Sequence, residues 1–340
     1  MKKNSVLCVT LNPCLDKTLT VPAWKPGDNV RGTAIREVVG GKGNNVARAL
    51  KGLGQSARPA TFLGGSTGNR CELLLKRDDG MEPLVIASSA ETRTILTART
   101  GESAEQSAFF DPDPAISDNE ALLMLEAVRL EIQSGHVQAL TLSGSSPSVS
   151  THRLYGDLIR LARESGITVL LDTYGMALKS LDSAAPDLIQ LNRKEVAGIL
   201  GLQSDELSEP LIFDWLKGWV EKGTRLAVLT QGPEDVLAVS IEGFWRAVPP
   251  KIQAVNPIGS GDCFLAGLTY ASIRSESAPS QLKFAVACAV ANACVWDAGA
   301  ISIELVEPWI SKIHVHQLGE FCVDSRPPVF NDYTGQSNDS

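Results

Sequence analysis

Short apolar runs alternate along the chain with stretches in which apolar residues recur at helical spacing. The runs cover residues 5–11, 59–63, 137–142, 167–171, 188–191 and 226–229. Unbroken apolar runs of this length are typical of strands buried on both faces of a parallel sheet. The stretches with helical spacing cover residues 119–133, 151–164, 193–200, 211–221, 281–297 and 308–313. This alternation predicts an α/β protein with a mostly parallel sheet covered by helices, to which residues 236–241 and 244–248 add an antiparallel pair.

Two further pairs of segments alternate apolar and polar residues with period two. They cover residues 17–21 with 29–38, and residues 95–100 with 106–110, and the turn signal Gly101-Glu102-Ser103 joins the second pair. Period-two alternation is typical of half-exposed strands, and two pairs inserted at separate places predict a discontinuous β lid. The predicted division is a core of residues 1–11, 39–90 and 112–318, a lid of residues 12–38 and 91–111, and a polar tail of residues 319–340.

Composition narrows the class of protein without changing the predicted fold. The 340 residues are 44% hydrophobic and 21% charged, which is ordinary for a globular protein. The formal net charge of -8 argues against a nucleic-acid-binding surface. Seven cysteines without a C-x-x-C pair indicate reduced thiols and a cytoplasmic protein. The longest nearly apolar run, 284–296, is too short to cross a membrane, so we expect no membrane partner.

The stretch Asn256-Pro257-Ile258-Gly259-Ser260-Gly261-Asp262 leads into apolar residues at helical spacing. Glycines let the backbone turn tightly and approach a ligand closely. The first N–H groups of a helix have no intrahelical partners, so such a turn is ready to bind an anion. Asp262 either helps to start the helix or accepts a proton from a hydroxyl that attacks a phosphate.

A second glycine-rich stretch, Gly40-Gly41-Lys42-Gly43-Asn44-Asn45, opens a predicted helix that ends at Gly54. Gly43 stands where a Walker A loop needs Ser or Thr, and the dinucleotide spacing G-x-G-x-x-G is absent. These glycines either serve helix–strand packing or bind a second anion. A phosphoryl donor and a phosphorylated acceptor would together need two such sites.

Several polar residues directly follow predicted strands, namely Asn12, Asp16, Ser143, Asp172 and Asn192. Ligands of open parallel sheets lie beyond the carboxyl ends of the strands, so these positions predict a single cleft. Asn192 and Glu195 are three residues apart and share a helix face. They either hold a water on magnesium or form the N-cap and capping box of the helix.

Together, residues 40–47 and 256–262 resemble the paired motifs of the PfkB (ribokinase-like) carbohydrate kinase family, and the resemblance covers most of residues 5–316. Residues 11–16, Thr92-Arg93, residues 143–145 and residues 192–195 are similar to the hexose-phosphate branch, which contains 1-phosphofructokinase and tagatose-6-phosphate kinase. The resemblance implies a ribokinase-like three-layer sandwich and a small β-sheet lid that often forms a homodimer contact. It also implies transfer of the γ-phosphate of ATP, with Mg²⁺, to a sugar-phosphate hydroxyl.

The resemblance further implies a role for each matching residue. Asp262 is the expected general base, and the backbone N–H groups of Gly259, Ser260 and Gly261 are the expected anion hole. The residues expected to hold the sugar are Asp16, Gly41, Asn45 and Ser143. Those expected to bind the phosphate already on the substrate are Lys42, Arg93 and Arg31. The residues expected on the ATP side are Thr230, Gly232, Asn292, Asn192 and Glu195, the last binding Mg²⁺ through water.

Three positions depart from the family pattern. Gln190 replaces the usual lysine two residues before Asn192, Asp235 replaces a common glycine in the nucleotide loop, and Ser146-Pro147-Ser148 replaces a more usual Leu-Pro. None of these changes removes the expected base or anion hole.

The resemblance favours fructose 1-phosphate as the acceptor, with tagatose 6-phosphate and fructose 6-phosphate as alternatives that the same basic residues could bind. A kinase of an unphosphorylated sugar or nucleoside is a further alternative, but Lys42 and Arg93 suit an acceptor that already bears a phosphate. A non-catalytic sugar-phosphate sensor on the same scaffold is the alternative from another class, and the intact turn at 259–262 argues against it.

Overall fold

The computed structural model describes residues 4–22, 24–25, 27–100, 106–181 and 184–321. Its strands are β1 (Ser5–Thr10), β2 (Cys14–Val21), β3 (Ala34–Gly40), β4 (Ala57–Leu63), β5 (Leu84–Ala87), β6 (Thr94–Thr100), β7 (Gln106–Phe110), β8 (Val137–Ser143), β9 (Thr168–Asp172), β10 (Leu188–Asn192), β11 (Leu226–Thr230), β12 (Val236–Ser240), β13 (Gly243–Val248) and β14 (His314–Gly319). Its helices are α1 (Lys42–Gly52), α2 (Gly65–Arg77), α3 (Asp118–Gln133), α4 (Leu154–Glu164), α5 (Gly175–Lys179), α6 (Arg193–Leu200), α7 (Glu209–Glu221), α8 (Ser260–Ser272), α9 (Ala278–Ala293) and α10 (Ile303–Ile310).

In the described part of the chain, ten strands form one sheet in the order β14-β13-β12-β11-β10-β9-β8-β1-β4-β5. The strands from β11 to β5 in this order are parallel, and β12, β13 and β14 extend the sheet by antiparallel pairing. The prediction of a mostly parallel sheet is confirmed. Parallel strands end at the same edge, so the polar residues at the ends of β8 to β11 lie along one side of the molecule.

Each face of this sheet carries its own hydrophobic core, because successive residues of a strand point to opposite faces. Leu7 and Val9 of β1 belong to a core shared with α3 to α7. Val6 and Cys8 of the same strand belong to a core shared with α1, α2, α8, α9 and α10. The unbroken apolar run of β1 thus reflects burial on both faces, and the three-layer α/β sandwich is confirmed.

The lid is a separate four-stranded sheet in the order β3-β2-β6-β7. β2 pairs with β3 and β6 pairs with β7 in antiparallel fashion, as the two period-two pairs predict. The parallel pairing of β2 with β6 joins the two pairs into one sheet. The predicted turn Gly101-Glu102-Ser103 lies outside the described residues.

Four elements were not predicted, and some predicted helix boundaries are wrong. The elements that were missed are α2, α5, β5 and β14. α2 opens on small polar residues, and β14 is a polar edge strand whose hydrogen-bond partner is β13. α9 ends at Ala293 rather than at 297, where the Ala293 carbonyl accepts from the N–H groups of Val255 and Asn256 at 2.8 and 3.2 Å. α10 begins before Pro308 and ends at Ile310, not at 313.

Of the predicted tail, Gly319 ends β14, and residues 322–340 lie outside the described part of the chain. No helix among the described residues is long and apolar enough to cross a membrane.

Candidate active site

The stretch before α8 forms the tight turn that its glycines predict. Gly259 has a φ of 83°, in the left-handed region that favours glycine. A Cβ there would lie 2.7 Å from the Cβ of Ala298, so close packing also requires glycine. The N–H of Ser260 donates to the carbonyl of Pro257 at 3.2 Å and closes the turn. Of the three N–H groups expected to bind an anion, that of Ser260 therefore already has a partner.

Asn292 of α9 supports this turn from behind. Its Nδ2 donates to the carbonyl of Ile258 at 2.9 Å and to Oγ of Ser260 at 3.2 Å, and its Oδ1 accepts from the N–H of Gly299 at 2.9 Å. The side chain is buried, and both ends of its amide are engaged. A contact between Asn292 and a nucleotide stays a prediction, whereas its support of the turn is direct.

Asp262 lies in the first turn of α8, where it is 6% exposed. Its Oδ2 accepts a hydrogen bond from Nδ2 of Asn45 at 2.7 Å. Burial raises the pKa of Asp262 to about 7, and the negative charges of Asp172 and Glu195 add to the rise, against the opposing effects of Lys42 and the Asn45 hydrogen bond. A carboxylate with a pKa near neutrality can hold and release a proton at physiological pH, as a general base must.

Lys42, the first residue of α1, binds two acids and acts electrostatically on Asp262. Its Nζ lies 2.7 Å from Oδ1 of Asp172 and 3.0 Å from Oε1 of Glu195. Burial favours the neutral amine, but the charges of Asp172, Glu195 and Asp262 outweigh that effect and raise the pKa of Lys42. The ammonium therefore stays charged, and it offsets part of the negative charge around Asp262.

Asn192 and Glu195 form the capping box that was one of the two alternatives for this pair. Oδ1 of Asn192 accepts from the N–H of Glu195, and Oε2 of Glu195 accepts from the N–H of Asn192, both at 2.9 Å. The second Glu195 oxygen accepts from Lys42. Burial raises the pKa of Glu195, Asp172 adds to the rise, and Lys42 opposes it. The capping box thus fixes the Glu195 carboxylate beside Lys42, and a magnesium role for Glu195 stays a prediction.

Arg93 lies at the base of the lid and is held by Asp113 and by the backbone of Asn12. Its Nη1 lies 3.1 Å from Oδ1 of Asp113, and its Nη2 donates to the carbonyl of Asn12 at 3.3 Å. Nδ2 of Asn12 donates to the same Asp113 oxygen at 2.8 Å. A guanidinium that binds a carboxylate in this way also has the geometry to bind a phosphate.

Asp16 of β2 faces the glycines that precede α1. A Cβ at Gly40 would lie 2.1 Å from Oδ2 of Asp16, so this approach requires glycine. Burial raises the pKa of Asp16 to about 6, against a hydrogen bond with Cys14 and the positive charges of Arg93 and Arg48. A cleft of about 600 Å³ between lid and core has Asp16, Asn45 and Arg48 in its wall. That volume is ordinary for a small-molecule site.

The remaining predicted residues lie at strand ends or in loops. Ser143 ends β8, and its buried Oγ has no hydrogen-bond partner among the described residues. Thr230 ends β11, and Gly232 follows in the turn to β12 with a φ of 67°. Arg31 is exposed between β2 and β3. Gln190, which replaces the family lysine, donates from Nε2 to the carbonyl of Gly261 at 3.2 Å and so contacts the α8 turn directly.

The structure therefore joins Asp262 to Asn45, and Lys42 to Glu195, across large separations in sequence. Sequence reasoning assigned no role to Asp113, the partner of Arg93, or to Arg48, which donates to Asn45. The sequence placed Asp172 at the end of a strand but gave it no role. Its position at the strand end was the only sequence signal that it belongs to the site. Asp113 is 20 residues from Arg93 and Asp79 is 31 residues from Arg48, so residue spacing marks neither pair. The spacing of three between Asn45 and Arg48 on α1 was the available signal for Arg48.

A glycine turn at a helix start, a buried carboxylate beside it and a lysine that stays charged define a phosphotransferase that acts on an alcohol group. The chain matches the family model described as "pfkB family carbohydrate kinase" over residues 3–303 and belongs to that family. It is 30% identical over 285 residues to ATP-dependent 6-phosphofructokinase isozyme 2 of Escherichia coli. The matched region covers 83% of this chain and 90% of that protein. The chain is an ATP-dependent carbohydrate kinase.

Two solved structures are similar over nearly the whole chain. Phosphofructokinase-2 from Escherichia coli in complex with fructose-6-phosphate has a TM-score of 0.79 and 27% identity, and the match covers 92% of this chain and 99% of that one. A possible 1-phosphofructokinase from Thermotoga maritima has a TM-score of 0.81 and 22% identity, with coverage of 93% and 100%. The second similarity supports the fold, and the first also supports membership of the family.

Proposed function

We propose that this protein transfers the γ-phosphate of ATP to a hydroxyl of a hexose phosphate, with Asp262 as the general base. The observation that carries the proposal is the Asp262 carboxylate itself, which is buried at the start of α8, bonded to Asn45 and raised in pKa to about 7. Asp262 accepts the proton of the acceptor hydroxyl as that oxygen attacks the phosphate. A positioned base of this kind contributes about 10²- to 10⁴-fold to the rate.

The α8 turn is suited to the charge that develops on the transferred phosphate. Backbone N–H groups at Gly259 and Gly261 lie at a helix start, where the helix dipole favours an anion. The N–H of Ser260 joins them only if its bond to Pro257 is exchanged for one to the phosphate. Gln190 and Asn292 hold the two sides of the turn, which keeps these donors in place before the nucleotide arrives.

The phosphate already on the acceptor is assigned to Arg93 and Lys42, with Arg31 from the lid. Arg93 and Lys42 both have carboxylate partners, so a phosphate must replace Asp113 on Arg93 and compete with Asp172 and Glu195 for Lys42. Asp16 and Asn45 lie in the cleft wall and supply oxygen and nitrogen atoms for the sugar hydroxyls. Gly41 and Ser143 are assigned to the sugar by the family resemblance alone. These assignments extend the family resemblance to the observed geometry.

Magnesium fits this site as an ion held mainly by the phosphates of ATP. Among the described residues, no group of three or more His, Cys, Asp or Glu side chains is arranged to bind a metal. Glu195 and Asp172 nevertheless meet at Lys42, and one or two carboxylates are the usual protein share of an ATP-bound Mg²⁺ site. Glu195, which Asn192 fixes through the capping box, would hold the ion through water. The ion would supply positive charge that offsets the charge of the phosphates.

Fructose 1-phosphate is the first acceptor we propose, on the likeness of residues 11–16 and 92–93 to the 1-phosphofructokinase branch. Fructose 6-phosphate is the second, favoured by the 30% identity with the Escherichia coli 6-phosphofructokinase isozyme. Either acceptor places a phosphate near Arg93 and a hydroxyl near Asp262.

A coupled assay of ADP release with ATP, Mg²⁺ and a panel of acceptors tests this proposal. The panel contains fructose 1-phosphate, fructose 6-phosphate, tagatose 6-phosphate, fructose, ribose and a nucleoside, and the highest kcat/KM should fall on a hexose phosphate. Asp262→Asn should lose at least about 100-fold in kcat with little change in either KM. Turnover of that variant near the wild-type rate, or a preference for an unphosphorylated sugar, would contradict the proposal.

The lid also supports a proposed homodimer contact. Residues that pair directly across neighbouring strands point to the same face of a sheet. Leu96 pairs with both Phe109 and Lys17. Leu19, two residues after Lys17 on the same face, pairs with Ile35. Ile35, Leu96 and Phe109 are 62%, 36% and 54% exposed. An apolar face of this kind on two chains would be covered if the lids packed together.

A further inference from the structure

Arg48 lies one helical turn after Asn45 on α1 and is bonded to it. Nη1 of Arg48 donates to Oδ1 of Asn45 at 2.8 Å. The other end of the same amide, Nδ2, donates to Oδ2 of Asp262 at 2.7 Å. Asn45 therefore stands between a guanidinium and the carboxylate of the base.

Every N–H of the Arg48 guanidinium has an acceptor. Nε and Nη2 donate to the two oxygens of Asp79, both at 2.8 Å. Nη2 also donates to the carbonyl of Val39 at 3.1 Å, and Nη1 to that of Ala298 at 3.3 Å. With the bond to Asn45, these contacts use all five donors, and the side chain is 14% exposed. Arg48 borders the cleft but has no donor left for a substrate.

These contacts determine which way the Asn45 amide points. A guanidinium donates and never accepts, so Oδ1 must face Arg48 and Nδ2 must face Asp262. Rotation of the amide by half a turn would place its NH₂ group against Arg48 and its oxygen against the carboxylate. Both contacts would then be repulsive. Without Arg48, nothing at the Oδ1 end would oppose that rotation.

We propose that Arg48 is a positioning residue for phosphoryl transfer, which fixes the Asn45 amide so that its NH₂ group donates to Asp262. The inference rests on the proposed role of Asp262 as the base. Asp79, just beyond α2, holds Arg48 in turn, so the position of the guanidinium depends on the segment that follows α2. Arg48 acts through Asn45 and does not touch the reacting atoms.

We expect loss of Arg48 to change both the turnover of the enzyme and the protonation of Asp262. The charged groups that face Asp262 are Lys42 from α1, Asp172 from β9 and Glu195 from α6, and none of them bonds to Arg48. The hydrogen bond from Asn45 lowers the pKa of Asp262 against the effect of burial. Losing that bond raises this pKa further, so less of the base is deprotonated at neutral pH.

The test compares Arg48→Met and Arg48→Lys with the wild-type enzyme in the ADP-release assay across pH. Arg48→Met should lower kcat about tenfold and leave KM for both substrates within about twofold, because one bond to the ionised base is affected. The acid limb of kcat/KM should move to higher pH by about half to one unit. Arg48→Lys retains the charge but has one donor nitrogen in place of three, and it should move the acid limb in the same direction by a smaller amount.

The matched control is Arg58→Met, which also removes an ion-paired arginine with a backbone contact, here to Glu131 and to the carbonyl of Glu82. Arg58 lies outside the cleft, so its loss should lower the unfolding temperature without moving the limb. An Arg48→Met protein that loses stability but keeps the wild-type limb and kcat would overturn the proposal. If Arg48→Met does not fold, the proposal would be overturned by a folded Arg48→Lys protein whose acid limb of kcat/KM lies at the wild-type pH.

A double-mutant comparison separates action through Asn45 from an independent effect. Asn45→Ala removes the donor to Asp262, so adding Arg48→Lys to it should lower kcat little further. Additive losses in the double variant would overturn the proposal. Near-wild-type turnover of Asp262→Asn would instead defeat the proposed function, so the two failures are distinguishable.

Discussion

The ionised carboxylate of Asp262 lowers the stability of the folded state because of the groups that surround it. The carboxylate is buried near Asp172 and Glu195, and a buried charge is unfavourable unless it is paired. Lys42 and Asn45 compensate only in part, because the pKa of Asp262 still rises from 3.8 to about 7. A helix-starting acid at the protein surface would show no such rise. The environment therefore favours the catalytic interpretation of Asp262 over the structural one.

This raised pKa predicts a pH-dependent stability difference between the wild-type protein and Asp262→Asn. The folded state holds the proton more tightly than the unfolded chain, so this group stabilises the fold at low pH, and the contribution is lost as pH rises through about 7. The loss amounts to at most about 4 kcal/mol of unfolding free energy. Asp262→Asn should thus gain stability over the wild type as the pH rises from about 4 to about 7, the interval between the unfolded and folded pKa values, in chemical denaturation. A difference that does not change with pH would contradict the burial argument.

Substitutions of Arg93 and of Asp113 should affect the binding of the acceptor differently. Arg93→Ala removes a charged donor to the substrate phosphate, and KM for the hexose phosphate should rise about 10- to 100-fold with a smaller change in kcat. Asp113→Asn removes the carboxylate with which that phosphate competes, so KM should stay the same or fall. The control is Arg129→Ala, which removes an exposed arginine paired with Glu126 on α3. An unchanged KM in Arg93→Ala would exclude Arg93 from phosphate binding.

At the scale of single elements, the start of α8 depends on contacts from several directions. Gln190 of β10 holds the carbonyl of Gly261, and Asn292 of α9 holds Ile258 and Ser260. The left-handed Gly259 packs against Ala298. The turn is therefore positioned by β10, by α9 and by the loop that follows α9, and its glycines permit that packing.

Gly259→Ala should disturb this turn, because its Cβ would meet Ala298 and its φ would be strained. We expect a loss of about 1–3 kcal/mol in unfolding free energy and at least about tenfold in kcat. The matched control is Gly198→Ala inside α6, where a Cβ meets nothing within 4 Å. That substitution should stabilise the protein by about 0.5–1 kcal/mol and leave kcat unchanged. Equal effects of the two substitutions would show that the turn geometry does not matter.

At the scale of the whole molecule, the lid is tied to the loop that supports the α8 turn. Arg36 of β3 forms an ion pair with Asp297, and the guanidinium of Arg99 on β6 lies 4.0 Å from the ring centroid of Trp296. The carbonyl of Trp296 accepts from Nδ2 of Asn256 at 2.8 Å. Movements of the lid are thereby connected to the segment that leads into the anion-binding turn.

The exposed lid face predicts a change of oligomeric state on substitution. Phe109→Asp places a charge on this face and should halve the molar mass measured by light scattering, because a charge is unfavourable in an apolar contact. Leu122→Asp on α3 is the control, since Leu122 is 64% exposed but lies outside the lid. It should leave the mass of a dimer unchanged. A wild-type protein that is monomeric at working concentration would exclude the lid contact.

The local sequence was sufficient to predict most of the strands and helices and to identify the chemical groups of the site. Apolar runs and helical spacing predict the sheet and most of its helices, because burial on both faces of a strand or on one face of a helix leaves a periodic trace. They do not predict α2 or β14, whose order depends on partners elsewhere in the fold. The glycines at 40–43 and 259–261, with Asp262 and the strand-end residues, are likewise recognisable from the sequence.

Only the tertiary structure decided how those groups act on one another. It brings Asn45 against Asp262, places Lys42 between Asp172 and Glu195, and connects Arg48 to the base through one amide. The pKa of Asp262, the partner of Arg93 and the direction of the Asn45 amide all depend on distance and burial. Neither quantity is contained in residue spacing, because these side chains meet through the packing of separate helices and strands.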